Sequence, residues 1–342
     1  MQNKLFIYSP VIDTIDIFLS TSINSINITK YKVYALINPS LSLGYNTVKN
    51  NYTTINCHGN NAKIFLLLKD FKFIFKNRLN NIFIFNGSTS IILSFLLKLC
   101  SPKTNNKFIL HGTLRSKGIF INYIFITFLF LSNILGVDII SVNKSFSKFC
   151  LRKKNFKFIG FAGVGVPNAD CTKLILARKN TFFNNNEICV AFIGRHEKSK
   201  GFYLYEEIAE KNKNSRIIFI SIGGKVSGAS SKILQYGPLK RNELFNQLKK
   251  VDILIFPSIS EGLGMVMVEC CIAGIPTIAS ETDGSLQFLN NNNIGMIVKK
   301  RSYSVFIEKL DQMIENYEYF SNNCINFSNT NNNFIAQPFI EI

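Results

Sequence analysis

Short apolar runs alternate with longer helical patterns along most of this chain of 342 residues. Each apolar run has the length of a strand that is buried on both faces, and helical patterns such as Gly201–Lys211 lie between the runs. Alternation of this kind predicts parallel sheets with helices on both faces, the doubly wound α/β class. The runs fall into two sets, so we expect two similar α/β domains. The first set is Leu5–Tyr8, Lys32–Ile37, Ile82–Phe85, Lys107–Leu110, Asp138–Val142 and Phe156–Gly160, and the second is Ile188–Gly194, Arg216–Ile222, Ile233–Tyr236, Asp252–Phe256, Thr277–Ala279 and Gly295–Val298.

A polar, asparagine-rich segment, Leu176–Glu187, separates the two sets of strands. Domain boundaries fall in segments of this composition. We therefore expect an N-terminal Rossmann-like domain over residues 1–178 and a C-terminal Rossmann-like domain over residues 179–320. Residues 321–342 are polar and irregular in pattern, which predicts a tail that either is poorly ordered or returns to the N-terminal domain.

The chain is strongly basic, with 39 Lys and Arg against 21 Asp and Glu and a formal net charge of +18. Such an excess favours partners that carry phosphate: nucleic acid, an anionic membrane surface or a phosphorylated substrate. Part of it reflects a general abundance of lysine and asparagine. No zinc-finger, RNP-like or recognition-helix pattern is present, and the basic residues of the first half are scattered. Nucleic-acid binding is therefore the less favoured interpretation, and we expect no nucleic-acid partner.

The eight cysteines have no spacing that indicates a metal site or a disulfide framework. No Cys-x-x-Cys pair is present, Cys270 and Cys271 are merely adjacent, and Cys57–His58 has no second pair to complete a metal site. We expect a reduced cytosolic protein with buried thiols and no metal.

Two segments of the first half raise the question of a membrane. Residues 118–137 carry no charge and are long enough to span a bilayer, but Asn122, Ser132 and Asn133 interrupt them and a strand pattern follows. These features favour a helix packed on a sheet. In Lys63–Phe85, lysines are interleaved with Phe, Leu and Ile, which fits either a basic surface lying on anionic lipid or a helix with one face in the core. The first residues lack the pattern of a signal peptide.

Two carboxylates flank a glycine turn in the segment SEGLGMVMVECCIAGIPTIAS, residues 260–280. The buried strand Asp252–Phe256 precedes the turn and a helix follows it, so the turn lies at the carboxyl edge of a sheet, where α/β proteins bind ligands. The helix start exposes free N–H groups that suit an anion. Glu261 precedes these groups and Glu269 lies about 7–8 Å further along the helix. The order acid, anion site, acid matches the sugar, diphosphate and ribose of a nucleotide sugar.

A diphosphate also needs cations. The segment FIGRHEKSKGF, residues 192–202, places Arg195 and Lys200 in the loop after the first strand of the second domain, at the same edge of the sheet. Both can reach the phosphates there and stabilise charge on a departing nucleotide.

With GRHEKSKG, YGPLKRNELFNQLKKVD and ILIFPSISEGLGMVMVECCIAGIPTIAS, the region Ile188–Leu310 resembles the retaining GT-B glycosyltransferases of family 4, the glycosyl transferases group 1. FILHGTLRSKGI and VDIISVNKSFSKF extend a weaker resemblance into the first half. The resemblance implies two Rossmann-like domains that face a central cleft. It also implies a nucleoside-diphosphate sugar donor bound by the C-terminal domain.

The resemblance further implies roles for single residues. Glu261 would face the transferred sugar and Glu269 the ribose. His111 would line the cleft near the sugar, although it also fits as the end of a strand. The expected catalytic residues are Glu261, His111, Arg195 and Lys200, and the expected donor-binding residues are Arg195, Lys200, Glu269 and the backbone N–H groups of Gly264, Met265 and Val266.

One departure from the family pattern concerns the acceptor side. Family members carry a glycine-rich loop after the first strand, whereas this chain has YSPVIDTIDIF there, without glycine. The residues in question are Ser9 to Thr14. Without the glycine-rich loop, the acceptor of this protein stays undetermined, and we expect either a narrowed acceptor specificity or a reduced activity.

The resemblance implies transfer with retention at the anomeric carbon and no cofactor. We expect a hydroxyl acceptor on a lipid-linked or cell-surface polysaccharide intermediate, as in capsule or lipopolysaccharide biosynthesis. We also expect a cytoplasmic enzyme peripheral to the inner membrane face. A nucleotide-sugar epimerase or hydrolase on the same fold is the main alternative, and a catalytically inactive homologue is a further one.

Overall fold

The structure is a computed structural model of the protein. It describes residues 4–8, 31–37, 52–56, 64–86, 90–110, 119–159, 166, 168–178, 187–225, 227–290 and 292–330. The chain divides into two compact units, Met1–Gly165 with Ala336–Ile342, and Val166–Ile335.

The first unit is built on a parallel sheet. In chain order its described elements are β1 (Lys4–Tyr8), β2 (Lys32–Ile37), β3 (Tyr52–Asn56), α1 (Ile64–Lys76), β4 (Ile82–Asn86), α2 (Ser90–Cys100), β5 (Asn105–Leu110), α3 (Ile119–Ile134), β6 (Asp138–Ser141) and β7 (Phe156–Phe158). All adjacent strands pair in parallel, in the order β3-β2-β1-β4-β5-β6-β7. The central strands read KLFIY and IFIFN and are largely buried, and the rings of Phe6 and Phe83 stack 5.1 Å apart across them.

The basic segment from Lys63 to Phe85 forms a core-facing helix and a strand. Ile74 of α1 is fully buried, and Asp70 accepts a hydrogen bond from the hydroxyl of Tyr8 over 2.9 Å. Lys72 and Lys76 are exposed on the other side of the helix. The helix thus has one face in the core and its lysines in water.

The uncharged run 118–137 forms α3 and leads into β6. Ser132 and Asn133, two of the polar residues that interrupt the run, are buried, and the Asn133 side chain bonds both the N–H and the carbonyl of Arg152, over 2.7 and 3.2 Å. Phe125 packs against Phe108 of β5 at 6.4 Å between ring centroids. Within the described part of the chain, no helix combines the length and apolar character needed to cross a bilayer.

The second unit repeats the parallel architecture. Its described elements are α4 (Asn168–Ile175), β8 (Ile188–Ile193), α5 (Phe202–Lys211), β9 (Ile217–Ile222), β10 (Ile233–Tyr236), α6 (Arg241–Leu248), β11 (Ile253–Phe256), α7 (Met265–Ile272), β12 (Thr277–Ser280), α8 (Asp283–Leu289), β13 (Gly295–Val298), α9 (Tyr303–Glu315) and α10 (Tyr317–Thr330). The strand order is β10-β9-β8-β11-β12-β13, all parallel. The chain leaves β8 in one direction and returns on its other side as β11, so these two strands mark the switch point of the sheet.

The predicted α/β class with doubly wound sheets is confirmed. Every strand expected from an apolar run is present within one or two residues of its expected ends. The additional strand β3, sequence YTTIN, lies at the sheet edge, where a strand has one neighbour and needs no continuous apolar run.

The second unit begins at Val166, before the boundary expected after residue 178. Helix α4 belongs to this unit because its Asp170 binds Arg241 of α6 over 2.9 Å and its Lys173 binds Asn242 over 2.9 Å.

The expectation of an irregular tail from residue 321 is wrong as far as Thr330, because α10 extends to that residue. Its buried residues Tyr317, Ser321 and Cys324 are spaced as one face of a helix. That face packs on the end of α7, where the Ser321 hydroxyl donates to the carbonyl of Gly274 over 2.7 Å. Arg178 completes the contact by donating to the carbonyl of Ile272 over 2.9 Å and to the hydroxyl of Ser328 over 2.6 Å.

The described cysteines are free thiols. No group of His, Cys, Asp and Glu side chains among the described residues is arranged to hold a metal ion.

Candidate functional site

The glycine turn predicted to bind an anion lies between β11 and α7. Gly264 has φ 68°, a left-handed conformation that glycine adopts without strain, and a Cβ there would lie 2.5 Å from Cε of Met267 and 3.3 Å from Cγ of Glu261. Helix α7 starts directly after it, and the first N–H groups of a helix have no carbonyl partner within that helix. Met265 and Val266 stand at this start and are half-buried. The turn therefore has the backbone geometry of an anion site.

Lys200 and Glu261 meet at this turn. Nζ of Lys200 donates to Oε2 of Glu261 over 2.6 Å, and both side chains are half-buried. The two residues come from the loops after β8 and β11, which are neighbouring strands. The structure thus joins the predicted sugar-facing acid to a predicted phosphate-binding cation.

Backbone contacts hold these two loops together. The N–H of Ile259 donates to the carbonyl of Ser199 over 2.9 Å. Gly201 has φ 79°, and a Cβ on it would lie 2.0 Å from the carbonyl oxygen of Pro257. No side chain fits between the loops at this point, which is what allows Lys200 to reach Glu261.

Arg301, which the sequence analysis did not single out, supports the same loop. Its Nε and Nη2 donate to the carbonyl of Pro257 over 3.2 and 2.8 Å. Burial lowers the pKa of the Arg301 guanidinium. The backbone of Glu261 is held from another side, because its carbonyl accepts a hydrogen bond from the N–H of Gly284 over 3.0 Å.

Arg195 lies in the loop after β8, and its side chain pairs with a neighbouring glutamate. Its Nη1 binds Oε1 of Glu197 over 2.7 Å, and 67% of the side chain is exposed. Arg195 would have to release Glu197 to bind a phosphate through the same nitrogen atom.

Glu269 lies within α7 and is 5% exposed. Its Oε1 accepts a hydrogen bond from Nη1 of Arg241 over 2.7 Å, and Nε of Arg241 donates to Oδ2 of Asp170 over 2.9 Å. Burial lowers the pKa of the Arg241 guanidinium, but the charges of Glu269 and Asp170 outweigh burial and the net pKa is raised.

Sequence reasoning missed Arg241 and Asp170. One signal was present: Arg241 is the first residue of α6, and a cation is disfavoured at the positive end of a helix dipole unless a carboxylate offsets it.

His196 is a packing residue beside the site. Its ring stacks on that of Phe202, with centroids 3.9 Å apart and planes 6° apart. Neither ring nitrogen has a hydrogen-bond partner among the described residues. Burial lowers the pKa of His196 and favours the neutral ring.

The remaining site predictions concern residues of the first unit. His111 lies outside the described residues, as do Ser9 to Thr14. The roles expected of them stay predictions.

Comparison with solved structures identifies the architecture as the GT-B glycosyltransferase fold. A glycosyltransferase from Rickettsia africae aligns with TM-score 0.70 and 16% identity over 98% of this chain and 95% of that chain. WaaG, a glycosyltransferase involved in lipopolysaccharide biosynthesis, aligns with TM-score 0.69 and 12% identity over 96% of each chain. Anabaena HepE, solved in complex with UDP and glucose, aligns with TM-score 0.64 and 13% identity over 96% of this chain and 95% of that chain.

Within this fold, residues 173–330 match the family Glycosyl transferases group 1. Two relatives are an uncharacterized 41.2 kDa protein in the cps region of Klebsiella pneumoniae, 28% identical over 138 residues, and the capsular polysaccharide biosynthesis glycosyltransferase CapM of Staphylococcus aureus, 24% identical over 144 residues. The matches cover 37% and 38% of this chain, and they span 38% and 37% of the two relatives, about two fifths of their length.

Proposed function

We propose that the protein transfers a sugar from a nucleoside-diphosphate sugar to a hydroxyl group of a saccharide or lipid-linked saccharide, with retention at the anomeric carbon. The observation that carries the proposal is the Lys200–Glu261 pair at the start of α7, with Glu269 on the same helix. It offers a cation and free amides for a diphosphate, with one carboxylate on each side for hydroxyl groups.

Binding of the donor would exchange the partners of this pair. The diphosphate would take the Lys200 ammonium and the N–H groups of Gly264, Met265 and Val266, and Glu261 would then accept hydrogen bonds from the hydroxyls of the sugar. The pair is half-buried, so leaving either charge without a partner would be costly. With this exchange, each group has an opposite charge or a hydrogen-bond partner both with and without the donor.

The transfer step breaks the bond between the anomeric carbon and the phosphate oxygen and forms the bond to the acceptor oxygen on the same face of the sugar. The proton of the acceptor hydroxyl passes to the departing diphosphate oxygen. Lys200, the α7 amides and a reoriented Arg195 would stabilise the charge that develops on this oxygen. His111 would line the sugar site, as the family resemblance implies. In this proposal the protein's own cations neutralise the diphosphate and no metal is required.

The relatives support a place in polysaccharide biosynthesis. CapM is named for capsular polysaccharide biosynthesis and WaaG for lipopolysaccharide biosynthesis, and HepE was solved with UDP and glucose. We therefore propose a nucleotide-sugar donor and a polysaccharide or lipopolysaccharide intermediate as acceptor.

We further propose that the enzyme works against an anionic membrane surface. Helix α3 exposes Ile121, Tyr123 and Ile124 to solvent, with Tyr123 68% exposed. The segment after β6 adds basic residues that are also exposed, and α3 itself contains no charged residue. An apolar helix face beside cations suits the headgroup layer of anionic lipid. These basic residues are Lys144, Lys148, Arg152, Lys153 and Lys154.

The proposal is tested with a panel of UDP-, GDP- and ADP-sugars. A donor that binds the folded protein raises its melting temperature by mass action. Turnover of that donor is then measured with and without candidate acceptors, and the anomeric configuration of the product is read by NMR. Retention with acceptor-dependent turnover supports the proposal, whereas equal turnover without acceptor favours the hydrolase or epimerase alternative.

Glu269→Ala should weaken donor binding and so reduce the stabilisation, whereas Glu207→Ala, which removes an exposed glutamate of α5, should preserve it. Equal stabilisation of both variants would contradict the placement of the donor.

A further inference from the structure

One guanidinium joins two carboxylates from different helices of the second unit. Arg241, the first residue of α6, binds Oε1 of Glu269 on α7 through Nη1 over 2.7 Å. It binds Oδ2 of Asp170 on α4 through Nε over 2.9 Å. The three residues are far apart in sequence, and only folding of the second unit brings them together.

The guanidinium is fixed on a further side by an aromatic ring. The Arg241 Cζ atom lies 5.2 Å from the ring centroid of Phe245, one turn later in α6. Two charged hydrogen bonds and a ring contact together restrict the rotamers of a side chain that is otherwise flexible.

Helix geometry alone does not favour this placement. The start of α6 is the positive end of its dipole, which disfavours a cation by itself. The side chain of Glu269 is 7% exposed, so its charge would be costly without a partner. The two carboxylates therefore offset the unfavourable placement of the Arg241 cation, and Arg241 is a partner that stabilises the buried charge of Glu269.

We propose that Arg241 is a positioning residue that, anchored by Asp170, holds Oε1 of Glu269 and thereby directs Oε2 to the ribose hydroxyls of the donor nucleotide. The inference rests on the proposed function and deepens it, because it assigns the recognition of ribose to three residues rather than one. It makes a specific demand on the ligand: a nucleotide that lacks the 2′-hydroxyl should lose affinity because of this arrangement.

The test compares ribonucleotides with 2′-deoxyribonucleotides by titration calorimetry. UDP, GDP and ADP are titrated into the full chain, and the one that binds is compared with dUDP, dGDP or dADP. We expect the wild type to prefer the ribonucleotide by about tenfold or more, as for a hydrogen bond to a charged group. Arg241→Lys keeps a positive charge but cannot bridge both carboxylates, so Glu269 should lose its orientation. The preference for the ribonucleotide should then fall to about twofold or less.

Two further variants separate positioning from a general loss of structure. Asp170→Asn keeps Arg241 and Glu269 but weakens the anchor, so its preference should lie between those of wild type and Arg241→Lys. Lys249→Met removes an exposed cation at the other end of α6 and should keep the full preference. On a Glu269→Gln background, Arg241→Lys should cause no additional loss, because its effect acts through the Glu269 carboxylate.

Different outcomes contradict different claims. If no nucleoside diphosphate binds the wild type, the proposed function fails and the inference fails with it. If a ribonucleotide binds and Arg241→Lys retains the full preference, the inference alone is overturned. Tighter binding by Arg241→Lys would also overturn it, because Arg241 would then compete with the ribose for Glu269. If Arg241→Lys does not fold, Asp170→Asn decides: an unchanged preference overturns the inference.

Discussion

Lys200 Nζ and Glu261 Oε2 lie 2.6 Å apart, although the two residues are separated by 61 positions in the chain. Their loops follow β8 and β11, the strands at which the sheet of the second unit changes direction. The pair therefore lies where parallel α/β sheets most often bind ligands.

Loss of the Lys200 ammonium should slow the transfer step. We expect Lys200→Met to lower kcat by about 10²- to 10³-fold, the range seen when one charge-stabilising group is removed from an active site. Lys198→Met, in the same short turn but with its side chain exposed, should have nearly wild-type kcat. Steady-state assays with the donor found by the nucleotide-sugar panel measure both. Similar losses in the two variants would mean that Lys200 acts only through the general charge of the loop.

The backbone at Gly201 lies so close to the Pro257 carbonyl that we expect any side chain at position 201 to destabilise the protein. Gly201→Ala places a Cβ 2.0 Å from the Pro257 carbonyl oxygen, so the two loops must separate. We expect a loss of about 3 kcal/mol or more in the free energy of unfolding. Gly228→Ala is the matched control, because Gly228 has a similar φ of 78° but no atom within 4 Å of the added Cβ. It should cost only about 1 kcal/mol of backbone strain. Urea unfolding of the two variants checks the difference, and equal losses would show that strain alone is responsible.

The buried ring of His196 should make stability depend on pH. Because burial lowers the pKa of His196 in the folded state, the unfolded chain takes up a proton more readily as pH falls below the unfolded value of about 6.5. The contribution of the neutral ring is therefore present above that pH and is lost as pH falls through the lowered pKa of the folded state.

This contribution is measured by the melting temperatures of wild type and His196→Phe from about pH 7.5 to about pH 5, a range that includes the unfolded pKa of about 6.5. Phenylalanine preserves the stack on Phe202 but cannot titrate. The wild type should lose more stability than the variant towards low pH. Parallel curves would contradict the assignment.

The exposed face of α3 should govern membrane binding. Sedimentation with phosphatidylglycerol vesicles at low salt should recover the wild type in the pellet. The affinity of the double variant Ile121→Ser, Ile124→Ser for the vesicles should be lower by about tenfold or more, because each isoleucine contributes apolar area to the headgroup layer. Leu176→Ser removes an even more exposed apolar side chain from the second unit and should not change binding. No binding by the wild type, or equal loss in both variants, would remove the membrane proposal.

The sequence predicted the framework of both sheets because parallel strands that are buried on both faces must be apolar throughout. Edge strand β3 carries no such requirement, and it was missed. The polar helix α10 was missed for a related reason: it buries only one narrow face, so its apolar residues are too few to outweigh its asparagines.

The candidate site could be predicted where its residues follow one another along the chain, as in the turn from Glu261 to Glu269. It could not be predicted where partners meet only in the folded unit. Arg241 lies 28 positions from Glu269 and 71 from Asp170, and a basic chain offers many other arginines and lysines for each carboxylate. The sequence also could not show which partner a side chain takes, as in the pairing of Arg195 with Glu197.

The contacts of α10 and Arg178 with the end of α7 determine which fragment of the chain is suitable for producing the second unit alone. The last strand of the sheet, β13, ends at Val298, so a gene fragment cut just before Tyr317 would still encode every described strand of the second unit. Such a fragment would lack the Ser321 contact to Gly274 and the Ser328 contact to Arg178, so the C-terminal end of α7 would lose the packing of α10. An expression fragment intended for crystallography or nucleotide titration should therefore start no later than Val166 and continue through Thr330.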